Sequence, residues 1–147
     1  MKAPTDIEIV RWSSKSQPSI RSIREQVFIT EQNVPAELEW DDKDAAALHL
    51  LVYSPEGKPV ATARMLSDGK IGRVAVLPAW RRRGIASALL TRCIAMGREQ
   101  GLKEVWLAAQ ANAVPLYEKL GFVAEGDEFL DAGIPHRRMR LLLNNPS

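Results

Sequence analysis

At 147 residues the chain fits one domain, residues 1–147, and its single cysteine, Cys93, excludes an internal disulfide or a multi-cysteine metal site. A charged fraction of 26% and a net charge of +2 suit a cytoplasmic globular protein and are too mild to point to nucleic acid. No apolar run approaches the roughly 20 residues that span a bilayer, and polar residues 1–16 lack the apolar centre of a signal peptide, so no membrane partner is expected.

The first strand is expected at residues 6–12, with Ile7 and Ile9 on one face. Over 16–31 the apolar residues Ile20, Ile23, Val27 and Phe28 recur at helical spacing, with Ser16 or Ser19 beside Pro18 as the start signal. An acidic loop follows at 33–45, carrying Glu37, Glu39, Asp41, Asp42 and Asp44. Strands at 46–54 and 58–66 are joined by Pro55, Glu56 and Gly57, and Asp68-Gly69 signals a tight hairpin into a strand at 70–77. After a turn at 78–83, residues 84–100 form a helix with Ile85, Ala86, Leu89, Leu90 and Cys93 on its apolar face, stopped by Gly101. A buried strand at 105–109, a short helix at 112–120 stopped by Gly121, and strands at 122–130 and 137–143 complete the chain. This order describes one α/β domain with a mixed, mostly antiparallel sheet and no internal repeat.

The most informative stretch runs from Val74 to Ala86, Val-Ala-Val-Leu-Pro-Ala-Trp-Arg-Arg-Arg-Gly-Ile-Ala. A strand ends at a proline, a basic turn follows, and a helix opens on a glycine. Unpaired N–H groups and the positive dipole end at a helix start bind phosphate. Gly84 permits close backbone approach, Ala86 keeps the first turn clear, and Arg81, Arg82 and Arg83 add charge-assisted contacts. Judged by physics alone, the same stretch reads equally well as a solvated basic turn before a surface helix.

Arg-x-x-Gly-x-Ala from Arg81, preceded by Val-x-Pro, resembles the acetyl-CoA pyrophosphate loop of the GNAT superfamily. No Gly-Lys-Ser/Thr follows, as a Walker loop needs, and the three spaced glycines of a dinucleotide fingerprint are missing. Downstream, Asn-Ala-Val-Pro-Leu-Tyr-Glu-Lys-Leu-Gly-Phe at 112–122 resembles the second CoA-side segment of that superfamily. A narrower resemblance, to the small bacterial ElaA-like branch, is carried by residues 27–32, the acidic loop, His49, Arg64 and residues 132–136.

The resemblance implies a GNAT fold with a central sheet of about six to seven strands flanked by about three to four helices. It implies acetyl-CoA as co-substrate, no metal, and direct transfer to a small-molecule or peptide amine; a homodimer is common in the superfamily. Val74, Ala75 and Val76 are expected to pair with the pantetheine arm, with the Val76 N–H polarising the thioester carbonyl. Arg81, Arg82, Arg83, Gly84, Ile85 and Ala86 are expected at the pyrophosphate. Asn112 is expected to cap its helix, bind the cofactor, or both. Tyr117 matches the usual general acid, against the alternative of a ring that only packs its helix onto the sheet.

The base is open. Many relatives place a Glu on the strand before the phosphate loop, but residues 71–77 contain no carboxylate. The candidates are Glu31, His49 and His136, together with Glu39, Asp41 and Asp42 of the acidic loop, or water. Glu31 is the first choice because it ends the helix that reads as the acceptor-side wall. His49, among apolar residues, reads more readily as a satisfied structural histidine. His136 follows Gly133-Ile134-Pro135, a turn expected to re-aim it. The acidic run is either a solvated loop or an attractor for a cationic amine, and Trp40 within it is a candidate acceptor-pocket wall. Cys93 reads as buried and inert.

Three function classes follow: an active N-acetyltransferase, a non-catalytic acyl-CoA-binding or sensing module, and a nucleic-acid binder using Arg81 to Arg83, Arg137, Arg138 and Arg140. The missing strand carboxylate favours the second and Tyr117 opposes it. The mild net charge and the scatter of Trp12, Trp40, Trp80 and Trp106 along the chain oppose the third.

Overall fold

In the computed structural model, seven strands and four helices are found among the described residues, 6–143. Residues 1–5 of the polar N-terminal segment and residues 144–147 lie outside them. Strands β1 (Ile7–Arg11), β2 (Leu48–Tyr53), β3 (Pro59–Met65) and β4 (Ile71–Val76) form one antiparallel sheet in that order. Strands β5 (Glu104–Gln110), β6 (Val123–Asp131) and β7 (Ile134–Leu142) form a second, in the order β5-β7-β6. The helices are α1 (Gln17–Arg24), α2 (Ala36–Glu39), α3 (Ile85–Glu99) and α4 (Val114–Lys119).

The expected helix over 16–31 begins as α1 and continues as a π-helical segment, Glu25–Glu31. Ile20, Ile23 and Val27 from this stretch, and Leu89, Leu90, Cys93 and Met96 from α3, enter one apolar core with Leu50, Val60 and Ile71 of the first sheet. Cys93 is fully buried there, and burial pushes its thiol up to about 12, which makes it inert.

The two sheets meet at one place. The Trp106 N–H donates to the Gly69 carbonyl at 3.1 Å, and Lys70 and Trp106 form an isolated parallel bridge. Gly69 (φ +91°) makes this contact possible: a Cβ there would sit 2.8 Å from the Glu104 carbonyl oxygen. Beyond this point β4 and β5 do not pair, and the sheet opens into a V.

The acidic loop is only partly solvated: Glu37 and Asp42 are exposed, while Glu39 and Asp44 are buried. It contains α2 and folds around arginines. Arg24, fully buried, holds Glu39 and Asp44, each at 2.7 Å. Arg64 grips Asp41 with two bonds at 2.7 and 3.1 Å and reaches Asp44 at 3.1 Å. Arg73 Nε lies 3.0 Å from Glu39, and its Nη2 donates to Asp41 at 3.2 Å. Burial raises the Glu39 pKa even so, outweighing Arg73 and Arg24; at Asp41 burial pushes the same way, but the Arg64 bonds win and the pKa falls.

His49 belongs to this structural layer. It is buried on β2, donates from Nε2 to the Asp44 carbonyl at 2.9 Å, and packs 5.2 Å from the Trp12 ring. Burial lowers its pKa, so it is held neutral. Of the candidate bases, His49 takes its structural reading: it does not line the cleft, because its strand face is turned to the arginine network. Trp40 is likewise under Arg21 and Arg24, at 4.8 and 5.0 Å, rather than in the cleft wall.

Candidate active site

The V between β4 and β5 is the floor of a cleft of about 830 Å³. Its shape follows from a fault in β4. Thr62 pairs with Ala75 and Arg64 with Gly72, so Arg73 and Val74 together face the single residue Ala63. This is a β-bulge, with Arg73 in the left-handed region at φ 50°.

The bulge sets which backbone groups face the cleft. The Leu77 N–H donates to the Val60 carbonyl at 2.9 Å, just beyond the pair Ala61 and Val76. That pair is therefore the non-hydrogen-bonded kind, and Thr62 with Ala75 is the hydrogen-bonded kind. Ala75 spends its N–H and C=O on β3, whereas Val76 turns its own to the open edge. The Val76 carbonyl accepts from Arg81 Nε at 2.9 Å, which leaves the Val76 N–H facing the V.

After β4 the chain makes a 3-10 turn, Pro78–Trp80, and enters α3 through Gly84. Gly84 is the helix N-cap at φ 78°, and no side chain caps the N–H groups of the first turn. A Cβ built on Gly84 meets nothing within 4 Å, so the loop backbone borders open space. The three arginines there have different fates. Arg81 is taken by Glu31 and Val76, Arg83 stacks on Trp80 at 4.7 Å, and Arg82 (φ 62°) lines the cleft. Ile85 is 2% exposed, so its side chain belongs to the core and only its backbone reaches the helix mouth.

Tyr117, on α4, lines the cleft from the β5 side, its ring edge-on to Phe122 at 6.0 Å. Burial pushes the Tyr117 hydroxyl up to about 12, so it stays protonated at any working pH. Asn112 lies in the 3-10 turn before α4 and lines the cleft. It does not cap the helix: the N-cap is Ala113, without a side-chain bond.

The opposite wall comes from the π-helical segment and the β6–β7 hairpin. Glu31 lines the mouth, where both of its oxygens accept from Arg81, at 2.7 and 2.6 Å. The Arg81 bonds lower the Glu31 pKa and raise that of Arg81. A carboxylate so held is a poorer proton acceptor, and its two bonds make Glu31 a clamp for Arg81. Gln32 accepts from Gln110 Nε2 at 2.9 Å and ties the same segment to β5. The hairpin turns at Ala132 (φ 52°) and Gly133 (φ 76°), and β7 starts at Ile134. His136 is therefore a strand residue, not one re-aimed by a turn at 133–135. It lines the cleft opposite Gln110, and its Nδ1 lies 2.6 Å from the Ile134 carbonyl. A donated Nδ1–H there leaves Nε2 as the acceptor nitrogen.

Arg64, Arg73, Lys70 and Asp131 also line the cleft, and sequence reasoning gave them no role in it. The one available signal was a charged residue, Arg73, inside the otherwise small and apolar strand Ile-Gly-Arg-Val-Ala-Val.

Residues 13–143 match the family described as the acetyltransferase (GNAT) domain. The chain belongs to the GNAT family. With that membership it is an N-acyltransferase by class. This GNAT chain is 41% identical over 121 residues to the uncharacterized N-acetyltransferase YjcF of Bacillus subtilis, covering 80% of this chain and 86% of that one. Among solved structures, Escherichia coli ElaA is similar with a TM-score of 0.83 at 26% identity, covering 92% of this chain and 99% of that one. An acyl-CoA N-acyltransferase from Pseudomonas aeruginosa is similar with a TM-score of 0.81 at 29% identity and the same coverage. The seven strands and four helices agree with the GNAT expectation, with the sheet divided at β4 and β5.

Proposed function

We propose that this chain transfers the acetyl group of acetyl-CoA directly to an amine within a ternary complex. The observation that carries the reading is the open edge of β4. Val76 offers its N–H to the V, its carbonyl being held by Arg81, and the start of α3 is uncapped by any side chain. An extended pantetheine arm fits that edge as a strand would, and its pyrophosphate fits the helix start through backbone N–H groups, Arg82 and the dipole. Asn112 borders the same groove.

The amine nitrogen attacks the thioester carbon, the carbon–sulfur bond breaks, and CoA leaves as thiolate. The Val76 N–H stabilises the oxygen on which charge develops. His136 Nε2 takes the proton lost by the amine. Tyr117 gives its proton to the departing sulfur and is restored by solvent. The test is a screen of amines that follows CoA release from acetyl-CoA and identifies the acetylated product by mass. Amine-dependent release supports the reading. Tight acetyl-CoA binding with no release for any amine would replace it with the acyl-CoA-binding module.

A further inference from the structure

Two consecutive residues of one segment join the two arms of the V across its open end. Glu31, the last residue of the π-helical stretch, reaches the β4 arm through Arg81, which bonds to the carbonyl of Val76. Gln32, the next residue, reaches the β5 arm, where its Oε1 accepts from Gln110 Nε2 at 2.9 Å. Val76 and Gln110 are the last residues of their strands, so this series of contacts puts both at the same end of the cleft.

Gln110 also stands beside His136. The two are directly paired between β5 and β7, so their side chains leave the same face with Cβ atoms about 4.5–5.5 Å apart. On the other flank β6 brings the Phe129 ring against His136, stacked at 6.0 Å. The imidazole is confined between an aromatic ring and a carboxamide. That carboxamide has given one N–H to Gln32, while its Oε1 makes no hydrogen bond among the described residues. The tether to Gln32 holds it one way round, with an acceptor oxygen left for a ligand.

We propose that Gln110 Oε1 holds the second N–H of the attacking nitrogen, which makes the acceptor a primary amine. The inference rests on the acetyl-transfer reading and names its substrate class. As the nitrogen lone pair bonds to the thioester carbon and the carbon–sulfur bond breaks, the nitrogen gains positive charge while carrying two hydrogens. One leaves as a proton to His136 Nε2. The other stays on the product amide, and its bond to Gln110 Oε1 orients the nitrogen and strengthens as charge develops. A secondary amine has only one N–H, which His136 takes, and it turns a carbon toward Oε1.

The test uses methoxyamine, a small primary amine largely unprotonated at neutral pH, beside its N-methyl counterpart, N,O-dimethylhydroxylamine. Both are small enough that no further acceptor pocket has to be filled. Acetylation by acetyl-CoA is read as product mass, with protein and in buffer alone. The ratio of protein-catalysed rates, primary over secondary, should exceed the buffer ratio by about tenfold or more, as one charge-assisted hydrogen bond gives. Gln110→Met keeps the length of the side chain, should melt with the wild type, and should return the ratio to its buffer value. Gln110→Glu keeps an acceptor oxygen and should retain the excess. A wild-type ratio equal to that in buffer overturns the role of Gln110 and leaves acetyl transfer standing. An excess that survives in Gln110→Met makes the exclusion steric and overturns the role as well. A protein that binds acetyl-CoA and accelerates neither compound overturns the acetyl-transfer reading itself, and this role with it.

Discussion

Glu31 and Arg81 close the mouth of the cleft from opposite walls, two nitrogens on two oxygens at 2.7 and 2.6 Å. The same arginine donates Nε to the Val76 carbonyl, so the clamp also holds the end of β4 in place. Glu31→Gln should raise the KM for acetyl-CoA several-fold and leave the pH dependence of kcat/KM intact. Both partners are about 40% exposed, so the pair contributes about 0–1 kcal/mol to stability. Because Arg81 lowers the Glu31 pKa, that contribution is present above the unfolded carboxylate value and is lost as pH falls through the folded one. Urea melts of wild type and variant should converge at acid pH.

The two histidines separate by location. His136→Gln should lower kcat/KM for the acceptor on the order of 10²-fold with the melting temperature kept, as for loss of a general base. His49→Gln should keep the rate and lose about 1–3 kcal/mol of stability, because a buried, hydrogen-bonded ring beside Trp12 is disturbed. A rate lost in the His49 variant and kept in the His136 variant would reverse the assignment.

Tyr117→Phe keeps the ring against Phe122 and removes only the hydroxyl. Turnover should fall on the order of 10²-fold, as for loss of a general acid, with acetyl-CoA affinity nearly unchanged by calorimetry. Equal losses in both would make the hydroxyl a binding group.

Arg24 neutralises two buried carboxylates at once. Arg24→Met leaves Glu39 and Asp44 short of a partner and should cost about 3–5 kcal/mol in denaturant unfolding. The loss should be largest at neutral pH and shrink under acid, where Glu39, already raised by burial, takes a proton first.

Local signals were legible where neighbours in sequence are neighbours in space. Asp68-Gly69 marked the hairpin that becomes the vertex of the V, and Gly84 marked the start of α3. The buried part of the acidic loop was not legible because its partners, Arg24, Arg64 and Arg73, lie 15 to 34 residues away and no periodicity links them. The bulge at Arg73 was hidden for a different reason: a left-handed, non-glycine residue is imposed by tertiary contacts, here bonds to Leu38, Glu39 and Asp41. His49 reads as a strand residue and His136 as a turn residue just before a strand; only the sheet register puts one on a core face and the other on a cleft face.

Direct transfer is tested most plainly by a single-turnover experiment with acetyl-labelled acetyl-CoA and an acceptor found by the amine screen. The protein is mixed with labelled acetyl-CoA, with and without that amine, quenched, and read by intact mass. Label should pass to the amine only when both substrates are present and should never be found on the protein. An acetylated protein, or CoA released at the same rate without the amine, would contradict transfer across the β4–β5 cleft.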